Sequence, residues 1–375
     1  MSEPVRILQN MNSLHIGGSQ TFIRSIYLNI DREKVQFDFV VTPESRAPLY
    51  DEIQRMGGRI FVCPKYTGKN HLAYCRWWND FFSEHPEYHV VHGHVRSTAA
   101  IYLKIAKRHG ATTIAHSHST SNGSGVAAWV KDVMQLPIRH VADYLFACSD
   151  KAGKWLFGEK ALKQSNYRMI PNGVDLERFA YDEEKRNQMR DRLGIRSDEF
   201  VIGHIGRFAE PKNHRFLVAL FGAYQKLDPD SRLLMVGDGD LLDAVRSQCE
   251  ELGVSKQVIL PGSRMDVENF YQAMDVFVFP SLWEGLPVSV VEAQASGLQC
   301  LISDTITRNV NLTDLVKNLP PTDLEPWLSA LETAKSGGRR AASDENMRRL
   351  RPFDSKAVAR ELQAFYLEQD EKARR

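Results

Sequence analysis

From Phe200 onward, short apolar runs alternate with stretches whose apolar positions recur every three or four residues. Runs of four to seven residues bounded by turn signals predict buried strands at Phe200 to Gly206, Arg232 to Val236, Gln257 to Leu260, Val276 to Phe279 and Gln299 to Ser303. The periodic stretches between them predict helices at His214 to Leu227, Leu241 to Leu252, Val267 to Met274 and Pro287 to Ser296. Strand and helix in strict alternation with short loops make a doubly wound parallel sheet. The first half repeats the pattern, with strands at Val5 to Gln9, Phe37 to Val41, Arg59 to Val62, Val90 to His92, Thr112 to Ala115 and Tyr144 to Ala147. The Pro, Asn and Gly of IPNGVD, Ile170 to Asp175, punctuate the join. We expect an α/β chain of two Rossmann-like domains, 1–170 and 171–352. A final amphipathic helix begins at Phe353 and runs to Tyr366, ahead of a charged, solvated end within 353–375.

A chain of 375 residues, 43% hydrophobic and 25% charged, is long enough for two such cores. Its opening, MSEPVRILQN, lacks the apolar run of a signal peptide, and no apolar segment is long enough to span a bilayer. The expected location is cytoplasmic. Five scattered cysteines without a CxxC pair point to neither a disulfide framework nor a thiolate zinc site. The net charge of +1 conceals an asymmetry. Residues 1–171 carry 21 Lys and Arg against 14 Asp and Glu, and the remainder carries 27 against 33. No basic cluster is interleaved with aromatics, so nucleic acid is not an expected partner. The basic first half suits contact with an anionic membrane. Two segments could make it: Ile101 to Arg108, with Lys104, Lys107 and Arg108, and Trp129 to Arg139.

Open parallel sheets bind ligands just past the carboxyl ends of their strands. After the first strand, Gly17 and Gly18 open a helix, which serves either a phosphate or a tight turn. In GRFAEPKNH, Arg207 follows Gly206 at a strand end and Lys212 lies five residues on, either as a pair of diphosphate-neutralising cations or as solvated surface charges. The Asp238 and Asp240 of VGDGDLL could hold a metal ion, but they read more simply as a turn in which Asp240 caps the helix from Leu241. EGLPVSVVE sets Glu284 and Glu292 eight positions apart. A capping box from Ser281 to Glu284 is excluded by Gly285 and by Pro287 in the helix it would cap, whereas Pro287 suits the first helical position. The two carboxylates then flank a helix N-terminus able to hold an anion.

Two H-x-H pairs, His92 with His94 and His116 with His118, fall at adjacent strand ends. Four imidazoles could build a zinc site, yet no Asp, Glu or Cys has a matching spacing. No metal is expected, and a single histidine acting as a hydrogen-bonding group is the preferred reading.

Glu284-x7-Glu292, GRFAEPK, IPNGVD, AHSHST and the N-terminal GG together resemble glycosyltransferase family 4 over nearly the whole chain. SDTITRNVNLTDLV further resembles the bacterial transferases that build exopolysaccharide and capsule repeat units. The resemblance implies the GT-B fold, two Rossmann-like domains facing across a cleft, with a C-terminal helix crossing back to the first. It implies a retaining transferase that needs no metal or cofactor and takes a hexose or N-acetylhexosamine from a nucleotide sugar, UDP-linked by family habit. The implied acceptor is a saccharide linked to polyprenyl diphosphate, met peripherally at the inner face of the cytoplasmic membrane. Glu292 would hold the ribose, and Glu284 with the backbone of Gly285, Leu286, Pro287 and Val288 the donor sugar and its phosphate. Arg207 and Lys212 would grip the diphosphate, joined by Gly17 and Gly18. Gly262 to Arg264 would lie against the base. The catalytic histidine would be His118, with His116 as the alternate. Two other classes share this scaffold: a GT-B nucleotide-sugar epimerase or hydrolase, and a non-catalytic binding subunit.

Overall fold

The computed structural model describes residues 3–15, 17–43, 47, 49–119 and 126–375, without the side chains of 126–129. The chain divides into two compact units. One comprises Met1–Gly173 and Ser355–Arg375, the other Val174–Asp354.

In the first unit, β1 (Val5–Asn10), β2 (Val35–Val41), β3 (Ile60–Val62), β4 (Val90–Gly93), β5 (Thr112–Ser117), β6 (Tyr144–Ala147) and β7 (Tyr167–Met169) form a seven-stranded sheet, ordered β3-β2-β1-β4-β5-β6-β7. Every pairing is parallel. The order reverses at β1/β4, which opens a crevice beyond the ends of those strands. Apolar residues of both sheet faces are buried, as covered parallel sheets require. The helix Ser355–Arg374 belongs to this unit: Val358, Leu362, Phe365 and Tyr366 join Ile7, Phe37, Val90, Ile114 and Phe146 in one core. It runs eight residues beyond the expected Tyr366. Its charged end is not loop, because Lys372 pairs with Glu368 and Arg374 with Asp370 one turn apart.

The second unit is built from β8 (Val201–Ile205), β9 (Arg232–Val236), β10 (Val258–Ile259), β11 (Val276–Phe279), β12 (Gln299–Ser303) and β13 (Val316–Leu319), in the order β10-β9-β8-β11-β12-β13. Here the order reverses at β8/β11. The loops after these two strands carry GRFAEPK and SLWEGLP. A partly buried ion cluster anchors the start of β11: Asp275 accepts from Arg186 at 2.5 Å, Arg190 at 3.2 Å and the Val201 amide at 2.7 Å.

The amphipathic segment Ile101 to Arg108 does not offer its apolar side to a membrane. It lies in the helix Ala99–Arg108 with Tyr102 and Ile105 buried in the core, and Lys107 pairs with Asp143. Farther on, Val130, Val133 and Leu136 are exposed. Among the described residues no helix is long and apolar enough to cross a membrane.

Candidate active site

The helix Val288–Ala295 starts where proline dictates, with Pro287 just outside it as the capping residue. That cap has no side-chain hydrogen bond, and no acidic residue stands in the first turn. The Val290 N–H bonds back to Pro287 O at 3.1 Å, so the partial positive charge left for an outside anion sits at the amides before it. Glu284 lies in the loop before this helix and Glu292 on it, as the proline required.

Lys212 Nζ lies 2.7 Å from Glu284 Oε1, both groups mostly buried, and also sits 4.6 Å from the centre of the Phe279 ring. These two residues, each a predicted site residue but not predicted to pair, meet across 72 positions because the β8 and β11 loops are neighbours at the strand-order reversal. Arg207 behaves differently. Its side chain is 69% exposed and lies 3.3 Å from the still more exposed Asp240. A surface pair like this contributes little to stability and leaves the guanidinium available.

Asp240 is not the helix cap expected of it. The helix begins at Leu242 behind an uncapped Leu241, and Asp240 turns to Arg207. The glycines of VGDGD explain the change. Gly237 and Gly239 adopt φ of 148° and 153°, and a Cβ on Gly237 would fall 2.0 Å from Gly206 O. The loop is therefore a strand-to-helix turn whose glycines press against the backbone of Gly206 and Phe208, with both carboxylates exposed. Gly262 has φ of 78° in open space, and Arg264 pairs with Asp266 at 3.1 Å.

Glu292 has a partner that local spacing did not reveal. Tyr271, fully buried in the helix Val267–Ala273, donates its hydroxyl to Glu292 Oε2 at 2.8 Å. Burial pushes the Glu292 carboxyl up to about 7, opposed by that hydrogen bond and by Arg178. Its charge is poised near neutrality.

In the first unit, Gly17 precedes the helix Gly18–Asn29 as a cap without a side-chain bond. Among the described residues nothing lies within 4 Å of a Cβ built on Gly18, which leaves room beside that backbone. Ile16 of the same loop lies outside the described residues, as does Thr120 of AHSHST. All four sequence-predicted histidines come together. His92 Nδ1 lies 2.7 Å from the Tyr366 hydroxyl and its Nε2 3.1 Å from His116 Nδ1. His94 Nδ1 lies 2.8 Å from His118 Nε2, and its Nε2 2.9 Å from Gln9 Oε1. Burial keeps all four well below the usual imidazole range, His118 at about 3. His92, His94 and His116 each place a nitrogen within 4.8 Å of the others, a spacing open to a metal ion. Hydrogen bonds already engage both nitrogens of His92 and His94 and one of His116, and that donor set contains no anion to offset a buried dication. His116 is buried inside β5, whereas His118 stands just past its end.

Two parallel Rossmann-like sheets of this order are the fold of a GT-B glycosyltransferase, and the relatives agree. Residues 16–178 match Glycosyltransferase Family 4 and residues 185–314 match the glycosyl transferases group 1. A Bacillus subtilis protein named as a glycosyltransferase, EpsF, is 32% identical over 90% of both chains. The Escherichia coli UDP-Gal:alpha-D-GlcNAc-diphosphoundecaprenol alpha-1,3-galactosyltransferase is 29% identical over 65% of this chain and 66% of its own. In structure, Anabaena HepE in complex with UDP superposes with a TM-score of 0.77 at 15% identity, covering 96% of this chain and 99% of that one. The chain belongs to the family 4 glycosyltransferases.

Proposed function

We propose that this protein is a retaining glycosyltransferase that moves a hexose or N-acetylhexosamine from a UDP-sugar to a polyprenyl-diphosphate-linked saccharide in the assembly of a bacterial polysaccharide, without a metal ion. The observation that carries the reading is the Lys212–Glu284 pair beside the uncapped N-terminus at Val288, with the Glu292 carboxylate on the same helix. A cation and free amides suit a diphosphate, and two carboxylates suit the hydroxyls at its ends. The named acceptor of the Escherichia coli relative supports a lipid-linked saccharide, and HepE with UDP supports the base.

In this account Glu292 takes the ribose hydroxyls, Lys212 and Arg207 the diphosphate, and Glu284 with the Gly285 to Val288 backbone the transferred sugar. Gly17, Gly18 and His118 of the first unit keep the roles given by the family resemblance, His118 orienting the sugar near its C6 oxygen. Breaking the bond from C1 to the phosphate oxygen builds negative charge on the departing diphosphate. Lys212, Arg207 and the helix amides are donors preorganised for that charge, which is where electrostatic catalysis is most effective. The acceptor hydroxyl attacks C1 from the same face, the new C–O bond forms as the old one breaks, and the hydroxyl proton passes to the leaving phosphate. Exposed Val130, Val133 and Leu136 give the first unit a surface for peripheral membrane contact.

A thermal-shift panel of nucleotides and nucleotide sugars tests the donor assignment. UDP and one UDP-sugar should raise Tm well above other nucleotides, and Glu292→Ala should erase the shift. Equal stabilisation by all bases, or an unchanged shift in the variant, contradicts it.

A further inference from the structure

Arg96 is a cation of the first unit that the donor site does not use. It lies three residues past β4, at the strand-order reversal, and His94, two residues before it, meets His118 through a 2.8 Å hydrogen bond. The Arg96 guanidinium carbon stands 4.7 Å from the centre of the Trp155 ring, on the helix Asp150–Phe157 that follows β6. Arg96 thus links the loop after β4 to the helix after β6, across the end of β5 where His118 stands. Burial, and then the charge of Arg96, hold the His118 imidazole low, as a neighbouring cation does.

This setting holds the charge without cancelling it. Nη1 is buried without a hydrogen-bond partner, and among the described residues no carboxylate pairs with the guanidinium. Burial draws its pKa down while the exposed Asp132 acts against that through space, and a guanidinium stays protonated under such a pull. An aromatic face attracts a cation but leaves its charge whole. A buried N–H left open is costly until a ligand fills it. The helix Ala99–Arg108 opens three residues on, behind a Thr98 that makes no side-chain cap bond, and its first turn holds no acidic residue. Ala99 N–H bonds back to Arg96 O at 3.1 Å and Ile101 N–H to Thr98 O at 2.9 Å. Among the described residues the Ala100 N–H between them has no partner. An unpaired guanidinium beside a helix N-terminus makes a site for an anion.

We propose that Arg96, held against Trp155, binds the diphosphate of the acceptor, so that the enzyme takes acceptors whose first sugar is linked through a diphosphate and discriminates against neutral glycosides. This rests on the reading that the reacting sugars meet beside His118. The donor's diphosphate is met by Lys212 and Arg207 of the second unit, so an anion at Arg96 is a second one. An acceptor whose hydroxyl attacks beside His118 carries its own diphosphate one sugar ring away, and a cation neighbouring His118 is placed to meet it. The planar fork of a guanidinium matches the oxygens of a phosphate.

The test compares two acceptors, farnesyl-diphosphate-linked N-acetylglucosamine and farnesyl N-acetylglucosaminide, which lacks the diphosphate, on the full chain as wild type, Arg96→Gln and Arg96→Lys. Isothermal titration reads binding, and transfer from a UDP-sugar reads kcat and KM. Wild type should prefer the diphosphate acceptor in both. Arg96→Gln should cut that preference by on the order of tenfold or more, mainly through KM. Arg96→Lys, which keeps a point charge without the fork, should recover part of it. Affinity for UDP should stay that of the wild type. Equal binding of the two acceptors by wild type overturns the proposal. So does an Arg96→Gln that melts as wild type yet keeps the preference, loses both acceptors equally, or loses UDP to the same extent. If Arg96→Gln does not fold, Arg96→Lys carries the same comparison, and an unchanged preference in it overturns the proposal. Failure of the functional reading itself looks different: sugar is transferred to neither acceptor, while binding still shows the preference that depends on Arg96.

Discussion

Removing the Tyr271 hydroxyl takes a hydrogen bond from the proposed ribose carboxylate, along with a longer 3.0 Å contact to Ser289 O. In Tyr271→Phe the ring and its packing stay, and Glu292 loses a 2.8 Å donor. A hydrogen bond to a charged group contributes ~1.5 kcal/mol or more, equivalent to about one pKa unit. Burial has already pushed Glu292 up to about 7, and the hydroxyl acts against that rise. Losing it therefore raises the carboxyl by on the order of one unit. At pH 7 the ionised fraction falls from about one half to about one tenth, so a ligand that needs the carboxylate binds roughly fivefold more weakly. The loss should vanish about two pH units higher, where both proteins are ionised. The assay is isothermal titration with a UDP-sugar from pH 6 to 9, because its diphosphate has no group titrating there. Affinity should rise with pH through about 7 in the wild type and about one unit higher in Tyr271→Phe. Coincident profiles, or affinity flat with pH in the wild type, refute the reasoning.

Other outcomes follow from the same geometry. Lys212→Ala should cut transfer by on the order of a hundredfold or more. Because Arg207 has only an exposed pair with Asp240, Arg207→Ala should abolish transfer with a melting temperature within about a degree of wild type; full activity would remove Arg207 from the diphosphate site. Gly237→Ala places a Cβ 2.0 Å from Gly206 O at a φ of 148°, and a loss of about 2 kcal/mol or more is expected in chemical denaturation. Leu136→Asp, at an exposed apolar position, should lower cosedimentation with anionic phospholipid vesicles while leaving transfer to a soluble acceptor intact.

The sequence revealed most where one strand's own residues decide its fate. β6, β9, β11 and β12 occupy the expected residues because strands buried on both faces read as apolar runs between turn signals. β13, Val316–Leu319, was not expected: it sits at a sheet edge with Lys317 exposed and Asn318 half-buried, so its pattern resembles a loop. Glu284 and Glu292 could be placed because Pro287 constrains the backbone locally. Asp240 could not, since its orientation follows from Gly237 meeting Gly206, a contact across 31 positions that no helix-start rule contains. The partners of the site histidines and of Glu292 were hidden for the same reason. Gln9 is 85 positions from His94 and Tyr271 is 21 from Glu292. One signal did exist for Tyr271: a tyrosine on the buried side of a helix needs a partner for its hydroxyl, and a carboxylate is a natural one.

The central claim is transfer with retention from a UDP-sugar, and one measurement meets it directly. The protein is incubated with an α-linked UDP-hexose or UDP-N-acetylhexosamine and undecaprenyl-diphosphate-linked N-acetylglucosamine in detergent with excess EDTA, and the product's anomeric proton coupling is read by NMR. An α-linked disaccharide is predicted, formed at the same rate when EDTA is replaced by magnesium. A β-linked product, or transfer that EDTA abolishes, would contradict it.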